Sequence, residues 1–139
     1  MGVSKLNAEQ YYDPTAYEAL KNVEKAERKQ SFRPLVYICS PFSDDPAGNA
    51  EKARRYSRFA VDCGAIPLAP HLLLPQYMDD GTERELALFM DMVFLSKCME
   101  LWVFGSRISA GMEAEINKAK RKSMTIRYFT EELEETNGF

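Results

Sequence analysis

The segment at residues 101–119 constrains the fold of this chain more than any other. Its first four residues, Leu-Trp-Val-Phe, are large and apolar, which is typical of a short strand buried on both faces. Gly105 and a polar loop follow the strand, and from Ala110 onward apolar residues recur at helical spacing. The sequence therefore predicts a strand, a loop and a helix whose N-terminal backbone N–H groups could bind an anion.

The same alternation of strand and helix runs through most of the chain. Strands are predicted at 35–39, 65–70, 101–104 and 124–129, and helices at 47–63, 82–98 and 110–122, with a short helix in the acidic tail. Parallel strands need crossover connections, so this order predicts an α/β fold. We expect a three-layer, doubly wound parallel sheet of four to five strands, of the flavodoxin or Rossmann-like type. Ligands bind such sheets outside the carboxyl ends of the strands.

The N-terminal residues differ from the rest of the chain. Asp13 and Pro14 are typical of an N-cap followed by proline at the first helical position. The helix that they open has only a narrow apolar stripe and therefore contributes little core. We expect residues 1–30 to form an arm with one helix, and residues 31–139 to form a single α/β domain.

Composition excludes several classes of protein. The formal charge of −3 argues against a nucleic-acid binder, which usually has a basic excess. No apolar run reaches the ~18 residues that span a bilayer, and no secretory signal is recognisable. Three widely spaced cysteines, Cys39, Cys63 and Cys98, suggest reduced core residues, and a single histidine, His71, does not suggest a zinc site. We expect a cytoplasmic protein without membrane contact, metal or other cofactor.

The helix predicted at 82–98 has an unusual distribution of apolar residues. Thr82 and Glu85 form a T-x-x-E capping box at its start. The expected core stripe is Leu86, Phe89, Met90, Val93 and Phe94, and a second apolar stripe is Leu88, Met92 and Leu95. A second stripe on a surface helix predicts an interface, so we expect a homo-oligomer, either a dimer or a dimer of dimers. Asp91 lies on this second stripe, either at an interface edge or in a cleft.

Several residues of the segment 35–128 together carry a family resemblance. They are Tyr37 in the first strand, the loop Ser40-Pro41-Phe42, Asn49, the strand end Pro70-His71, the helix residue Asp91, and Ser109, Gly111 and Glu115 in the pattern S-x-G-x-x-x-E. With these features the chain resembles the nucleoside 2-deoxyribosyltransferase-like superfamily. Within that superfamily it is similar to uncharacterised bacterial and phage domains of the DUF4406 or DUF7768 type. The distance from Asp91 to the S-x-G-x-x-x-E pattern is similar to that in deoxynucleoside-monophosphate N-glycosidases.

The resemblance implies roles for individual residues. Glu115 would be the nucleophile on the anomeric carbon, Asp91 would assist the departing base or hold the sugar, and Tyr37 would orient the nucleophile. Ser109 and Gly111, with the helix N-terminus, would receive the 5′ end of the substrate. The further substrate-binding candidates are Ser40, Pro41, Phe42, Asn49, His71 and Arg107.

The residue types alone leave alternatives open. Glu115 could be a surface carboxylate of its helix, and Glu113 is its rival, although two residues apart on a helix is about 200° and both cannot face one pocket. Asp91 could be an interface charge. The corresponding alternatives are a structural histidine at His71, a core tyrosine at Tyr37 and a solvated arginine at Arg107.

The implied function is cleavage or exchange of the N-glycosidic bond of a (deoxy)nucleoside or nucleotide. Breaking that bond passes through an oxocarbenium-like state, which one carboxylate stabilises while an acid protonates the leaving group. Two other functions remain open. One is binding or degradation of a nucleotide-derived signal, such as an ADP-ribose-type molecule, in phage–host conflict. The other is a non-catalytic oligomeric domain of the same fold.

Overall fold

The computed structural model describes residues 14–29 and 32–138 of the chain. Its first helix, α1, spans Pro14–Lys29, close to the helix predicted in the N-terminal arm. The predicted N-cap, Asp13, lies outside the described residues. No helix in the described ranges combines the length and the apolar character needed to cross a membrane.

The chain divides into two compact units, Met1–Arg33 and Pro34–Phe139. The second unit contains a five-stranded, mostly parallel sheet with helices between the strands, which confirms the α/β fold. Its strands are β1 (Leu35–Cys39), β2 (Ile66–Leu68), β3 (Glu100–Phe104), β4 (Thr125–Phe129) and β5 (Glu135–Thr136). Its α-helices are α2 (Pro46–Asp62), α3 (Arg84–Lys97) and α4 (Ala110–Arg121). The strand order is β2-β1-β3-β4-β5, and only β5 is antiparallel to its neighbour.

The acidic tail forms the fifth strand, so the helix predicted there is wrong. After β4 the chain turns back at Thr130, whose backbone N–H donates to Glu134 O at 2.9 Å. Leu133 adopts the left-handed conformation with φ of 70°, which interrupts any helix. Arg127 then pairs across the two strands with Glu135 at 2.7 Å. Pairing with a neighbouring strand therefore outweighs the weak helical preference of the acidic residues.

Alternate residues of β1 and β3 contact two different apolar clusters. Val36 and Ile38 pack with Trp102 and Phe104 against α2, through Tyr56 and Ala60 among others. Tyr37 and Cys39 pack with Leu101, Val103 and residues of α3 and α4, including Leu95, Met112 and Ile116. Successive side chains of a strand point to opposite faces of a sheet, so β1 and β3 are covered by apolar groups on both. This explains why both strands are continuous apolar runs in the sequence.

Sequence signals correctly predict both ends of α2. The Asp45 side chain accepts a hydrogen bond from the Gly48 backbone N–H at 3.3 Å, and Pro46 occupies the first helical position. At the other end Gly64 has φ of 86°, a conformation that glycine adopts without a steric penalty. The helix therefore begins directly after the loop that leaves β1.

The two stripes predicted for α3 do not separate its inward face from its outward face. Phe94 of the predicted core stripe does pack against the core, but so do Met92 and Leu95 of the second stripe, whereas Leu88 of the second stripe is exposed. The buried residues of this helix are Asp91 and Leu95, whereas Leu86, Phe89 and Val93 are exposed, Phe89 to 65%. Because α3 is apolar over most of its circumference, its periodicity gives two stripes and does not say which one faces the sheet. Tertiary packing decides, since Leu95 joins the cluster that contains Tyr37 and Leu101.

The capping box predicted at the start of α3 does not form. The helix begins at Arg84, one residue after its N-cap, Glu83, which makes no side-chain capping bond. The Glu83 carboxylate instead accepts from the Asp79 backbone N–H at 3.0 Å, within the preceding loop. This local bond moves the helix start beyond Thr82, the predicted cap.

The three cysteines are free thiols, and two of them belong to the core. Cys39 and Cys98 are buried, but Cys63 is exposed, so the prediction of a core position for Cys63 is wrong. Cys63 follows the last turn of α2, where the chain turns outward before β2.

Candidate active site

The site lies where two neighbouring strands send the chain in opposite directions. From β1 the chain crosses to β2 on one side, and from β3 it crosses to β4 on the other. Such a reversal leaves a crevice beyond the carboxyl ends of the two strands. A cavity of about 240 Å³ opens there, which we term the first cavity. The predicted site residues that line it are Ser40, Phe42, His71, Asp91, Ser109, Gly111 and Glu115.

Glu115 projects from α4 into the wall of the first cavity. Its side chain is only 4% exposed, and the Tyr37 hydroxyl donates a hydrogen bond to its carboxylate. The neighbouring acidic residue, Glu113, is exposed, so helical geometry separates the two candidates as expected. A buried carboxylate held by a buried tyrosine differs from a solvated helix charge.

The surroundings of Glu115 disfavour its ionised form. Burial raises the pKa of Glu115 to about 7, and the negative charge of Asp91 acts in the same direction. Hydrogen bonds from Tyr37 and Cys39 oppose this effect, because they stabilise the charged carboxylate. Burial also raises the pKa of the Tyr37 hydroxyl well above its ordinary value, so Tyr37 remains a donor at neutral pH. Glu115 is therefore a carboxyl that titrates near neutrality.

Asp91 enters the same cavity from α3. It is 8% exposed, and its Oδ1 has no hydrogen-bond partner in the described part of the chain. Burial raises the pKa of Asp91 to about 6. A buried polar atom without a partner costs roughly 1–3 kcal/mol, so such atoms in a folded protein suggest a role in binding or catalysis. The structure therefore brings both predicted carboxyls to one cavity.

Ser40, Phe42 and His71 form another part of the cavity wall. The Nε2 of His71 lies 2.8 Å from the Ser40 carbonyl oxygen, and because a carbonyl only accepts, the histidine ring donates. Burial lowers the pKa of His71, which favours the neutral ring. The ring stacks on Phe42 at a centroid distance of 5.0 Å. The Ser40 hydroxyl is buried and has no partner among the described residues.

The N-terminus of α4 supplies backbone donors to the first cavity. Ser109 is the N-cap, and its side-chain oxygen accepts from the Met112 backbone N–H at 3.2 Å. The N–H groups of Ala110 and Gly111, in the first turn, have no partner within the helix. A Cβ added at Gly111 would approach only the Ser109 hydroxyl, at 4.0 Å, so the backbone there is open to the cavity. This arrangement suits an anion.

Four predicted site residues do not line the first cavity, and one of them, Tyr37, is buried and hydrogen-bonded to Glu115. Pro41, Asn49 and Arg107 line a second cavity of about 320 Å³, which shares Ser40 with the first. Arg107 does not line the first cavity, and its guanidinium forms an exposed ion pair with the Asp44 carboxylate beside the second. Asn49 donates from Nδ2 to the Phe42 carbonyl oxygen at 3.0 Å and to Asp44 Oδ1 at 2.7 Å. These contacts give Asn49 and Arg107 a role in fixing the loop after β1.

The sequence-based prediction did not include Asp80 or most of the α3 residues that line the first cavity. These residues include Arg84, Ala87, Leu88 and Met92. Their spacing, which continues through Asp91, marks one face of a helix and could have indicated them. Arg84 and Asp80 lie 3.6 Å apart and are each more than half exposed, so their ion pair is weak and can adapt to a ligand.

The site contains acid–base groups but no group of metal ligands. Among the described residues, no three His, Cys, Asp or Glu side chains are arranged to hold a metal ion. The cavity instead combines two buried carboxyls, helix N–H donors and a stacked aromatic pair. This combination suits a ligand with an anion or hydroxyl at one end, a flat ring at the other, and a bond between them that needs acid–base assistance.

A family model, described as a domain of unknown function (DUF7768), matches residues 34–129. The matched segment runs from the start of β1 to the end of β4. It contains every residue proposed from the sequence for catalysis or substrate binding. No curated protein matches the chain.

Proposed function

The chain belongs to the DUF7768 family, and we propose that it cleaves or exchanges the N-glycosidic bond of a (deoxy)nucleoside or nucleotide. The observation that supports this proposal best is the convergence of two buried carboxyls, Glu115 and Asp91, on one cavity. We propose further that the domain is nucleoside 2-deoxyribosyltransferase-like, with a three-layer, doubly wound sheet. The two apolar clusters against alternate residues of β1 and β3 support three layers.

The proposed reaction has two steps. In the first, an ionised Glu115 oxygen attacks the anomeric carbon, the C–N bond breaks, and the base leaves with the bonding electron pair. Protonated Asp91 gives its proton to the departing base nitrogen. In the second step, water or an acceptor base attacks the anomeric carbon and displaces Glu115, and its proton returns to Asp91. Water gives hydrolysis, and a second base gives exchange.

The protonation states required by this scheme are accessible near neutral pH. The pKa of Glu115 is about 7 and the pKa of Asp91 is about 6. Between these values the two carboxyls together hold about one proton, mainly on Glu115, so the form that the scheme needs, with Glu115 ionised and Asp91 protonated, is the less populated placement of that proton. A nucleophile and an acid can therefore coexist in the same cavity, as two carboxyls in different environments do in other glycosidic reactions.

The ends of the cavity support the orientation of the substrate. The N–H groups at the start of α4, beside Ser109, would bind a 5′-phosphate or 5′-hydroxyl. The stacked Phe42 and His71 rings offer an aromatic wall for the base. This orientation would place the glycosidic bond between the two ends, near the carboxyls.

Substitution of Glu115 tests the proposal directly. Glu115→Gln keeps the shape of the side chain but removes the negative charge that traps or stabilises the sugar cation. Base release from a panel of nucleosides and nucleoside monophosphates should fall by a factor of about 10² or more, while nucleotide binding is kept. Glu113→Gln, an exposed change on the same helix, should leave turnover unchanged. If the wild-type protein releases no base from any member of the panel, the proposal fails.

A second candidate is binding or degradation of an ADP-ribose-type molecule. The observation that favours it is that Ser40 lines both cavities, so a ligand longer than a nucleoside could extend from the first cavity to the second. Calorimetric titration with ADP-ribose and with AMP separates the two candidates. Tight binding of ADP-ribose alone, without base release from nucleotides, would favour this candidate. An absence of binding to either would favour a non-catalytic oligomeric domain.

A further inference from the structure

Two neighbouring positions on one face of β1 approach the candidate nucleophile. Tyr37 and Cys39 are two residues apart on the strand, so their side chains point to the same face of the sheet. Both are fully buried, and both belong to the cluster that contains Met112 and Ile116 of α4. Tyr37 donates to the Glu115 carboxylate. The scheme proposed for the reaction assigns no role to the thiol of Cys39.

The Cys39 thiol has two acceptors within reach. Its Sγ lies 4.0 Å from the Met112 carbonyl oxygen. The second is the Glu115 carboxylate, one helical turn further along α4, which accepts from Tyr37 on the same face of β1 and whose pKa the nearby thiol lowers. A thiol carries one proton and cannot donate to both acceptors at once.

We propose that Cys39 is a positioning residue for Glu115, whose S–H turns from the Met112 carbonyl oxygen to the carboxylate when Glu115 ionises. Together with the Tyr37 hydroxyl it holds the charged carboxylate from the side of β1. The inference rests on the proposed function for its kinetic consequence, and it names a second donor for the same site. Because S–H is a weak donor, it stabilises the charge modestly and leaves the oxygen available for attack.

The environment of Cys39 keeps it a donor rather than a nucleophile. Burial raises the pKa of its thiol well above the ordinary value, and the negative charge of Glu115 acts in the same direction. The thiolate, which is the reactive form of cysteine, is therefore not populated at neutral pH. Among the described residues, the ionisable groups around the carboxylate are Tyr37 and Cys39 on β1 and Asp91 on α3, and His71, Asp80 and Arg84 line the same cavity. Tyr37 and Cys39 are the groups that lower the pKa of Glu115 and so stabilise its charged form.

The test compares Cys39→Ala and Cys39→Val with the wild-type protein. Both variants lack the S–H donor. Alanine is smaller than cysteine and could loosen the core, whereas valine fills the volume of the thiol and keeps the core packed. The titration of Glu115 is followed by NMR of a protein labelled with ¹³C at the glutamate carboxyls, and Glu115→Gln identifies its signal. Loss of the donor should move the Glu115 midpoint upward by about half a pH unit or more. In the pH profile of kcat/KM for base release, the acidic limb should move to higher pH together with the Glu115 midpoint.

Cys98→Ala is the matched control. Cys98 belongs to the same cluster, but its thiol donates to the Phe94 carbonyl oxygen at 3.4 Å. An unchanged Glu115 midpoint in this variant, with a raised midpoint in both Cys39 variants, supports the inference. Equal midpoints in the wild-type protein and the Cys39 variants overturn it, and so does an equal rise in Cys98→Ala, which would indicate altered packing.

The two readouts separate this inference from the proposed function. A raised midpoint without base release from the wild-type protein would retain Cys39 as a positioning residue and reject the glycosidic reaction. Base release from the wild-type protein, together with a Glu115 titration midpoint that is unchanged in both Cys39 variants, would retain the glycosidic reaction and reject the role of the thiol.

Discussion

Glu115 and Asp91 are carboxyls whose charged forms the fold destabilises. Water is largely excluded from both, and within the part of the chain that the structure describes Glu115 receives donors that stabilise its charge, whereas Asp91 Oδ1 has none. Such an arrangement reduces stability unless a bound ligand makes use of it, and it is therefore typical of functional sites. The same property makes the two side chains measurable through the stability of the protein, without any knowledge of the substrate.

The pH dependence of unfolding should reveal Asp91. Its folded-state pKa, about 6, lies above the ordinary value of 3.8, so between these values the folded chain binds more protons than the unfolded chain. Its contribution to stability is therefore complete below about pH 4 and is lost as the pH rises through 6. Asp91→Asn removes this loss. The decrease in the free energy of unfolding from pH 4 to pH 8 should shrink by up to about 3 kcal/mol in urea titrations.

Glu113→Gln is the control for this measurement, because it replaces an exposed carboxylate on α4 by an amide. An Asp91→Asn variant with the same pH slope as the wild-type protein would show that Asp91 is not buried as a carboxyl.

At the scale of residues, the sequence predicted the members of the site better than their contacts. The S-x-G-x-x-x-E pattern singled out Ser109 and Glu115 through the family resemblance, and in the structure both residues line the first cavity. Contacts between residues that are far apart in the chain produce no comparable pattern in the sequence. The ion pair of Arg107 with Asp44 and the approach of Cys39 to Glu115 follow only from the folded structure.

At the scale of elements, α3 presents an exposed apolar stripe of Leu86, Phe89 and Val93. The exposed residues Glu85 and Lys97 lie near its two ends. Two copies of α3 packed antiparallel would place Glu85 of each chain near Lys97 of the other, with the apolar residues between them. Such a contact is the same surface on both subunits, as a two-fold dimer requires. We therefore propose that the homo-oligomer forms through this stripe and not through Leu88, Met92 and Leu95.

Phe89→Glu should dissociate this dimer, because it places a charge in the middle of an apolar contact. Sedimentation at micromolar concentration should show a dimer for the wild-type protein and a monomer for the variant. Ile66→Glu, an exposed apolar position on β2, is the control and should remain dimeric. Reversing one charge, by Glu85→Lys or Lys97→Glu, should weaken the dimer, and combining the two reversals should restore it. A wild-type monomer would rule out the interface.

Elements were predictable where their signals are local and ambiguous where they are not. The ends of α2 depend on Asp45, Pro46 and Gly64, each of which acts on its own turn of backbone. The inward face of α3 depends instead on which of two apolar stripes meets β1 and β3. Sequence periodicity cannot make that choice when both stripes are apolar.

At the scale of the whole molecule, the unit Pro34–Phe139 contains both apolar clusters. Its order of strands and helices was predictable as far as β4, because β1, β2 and β3 are short apolar runs, each followed along the chain by an α-helix before the next strand. The position of the crevice followed from that order. The antiparallel β5 was not predictable, because two paired residues leave almost no pattern in the sequence.

Removal of residues 1–30 should leave the α/β unit folded. Both apolar clusters, as far as the described residues form them, consist of residues from Leu35 onward, so the deletion removes none of their members. The melting temperature, measured by circular dichroism, should change by no more than a few degrees, about the effect of 1 kcal/mol. If the arm packs on a neighbouring copy, sedimentation should change more than the melting temperature. Insoluble protein after the deletion would contradict the expectation that residues 1–30 form an arm.

The hydrogen bond between Tyr37 and Glu115 joins residues that are 78 positions apart in the chain. Bringing such distant segments together costs chain entropy before any contact compensates for it, and contacts of this range slow folding. β1 emerges early in synthesis, but it cannot pair with β3 until α2, β2 and α3 have been made. The carboxyl of α4 arrives later still. A nascent chain that ends before α4 therefore has no assembled pair of carboxyls, and whatever chemistry the cavity performs begins only when the native topology is complete.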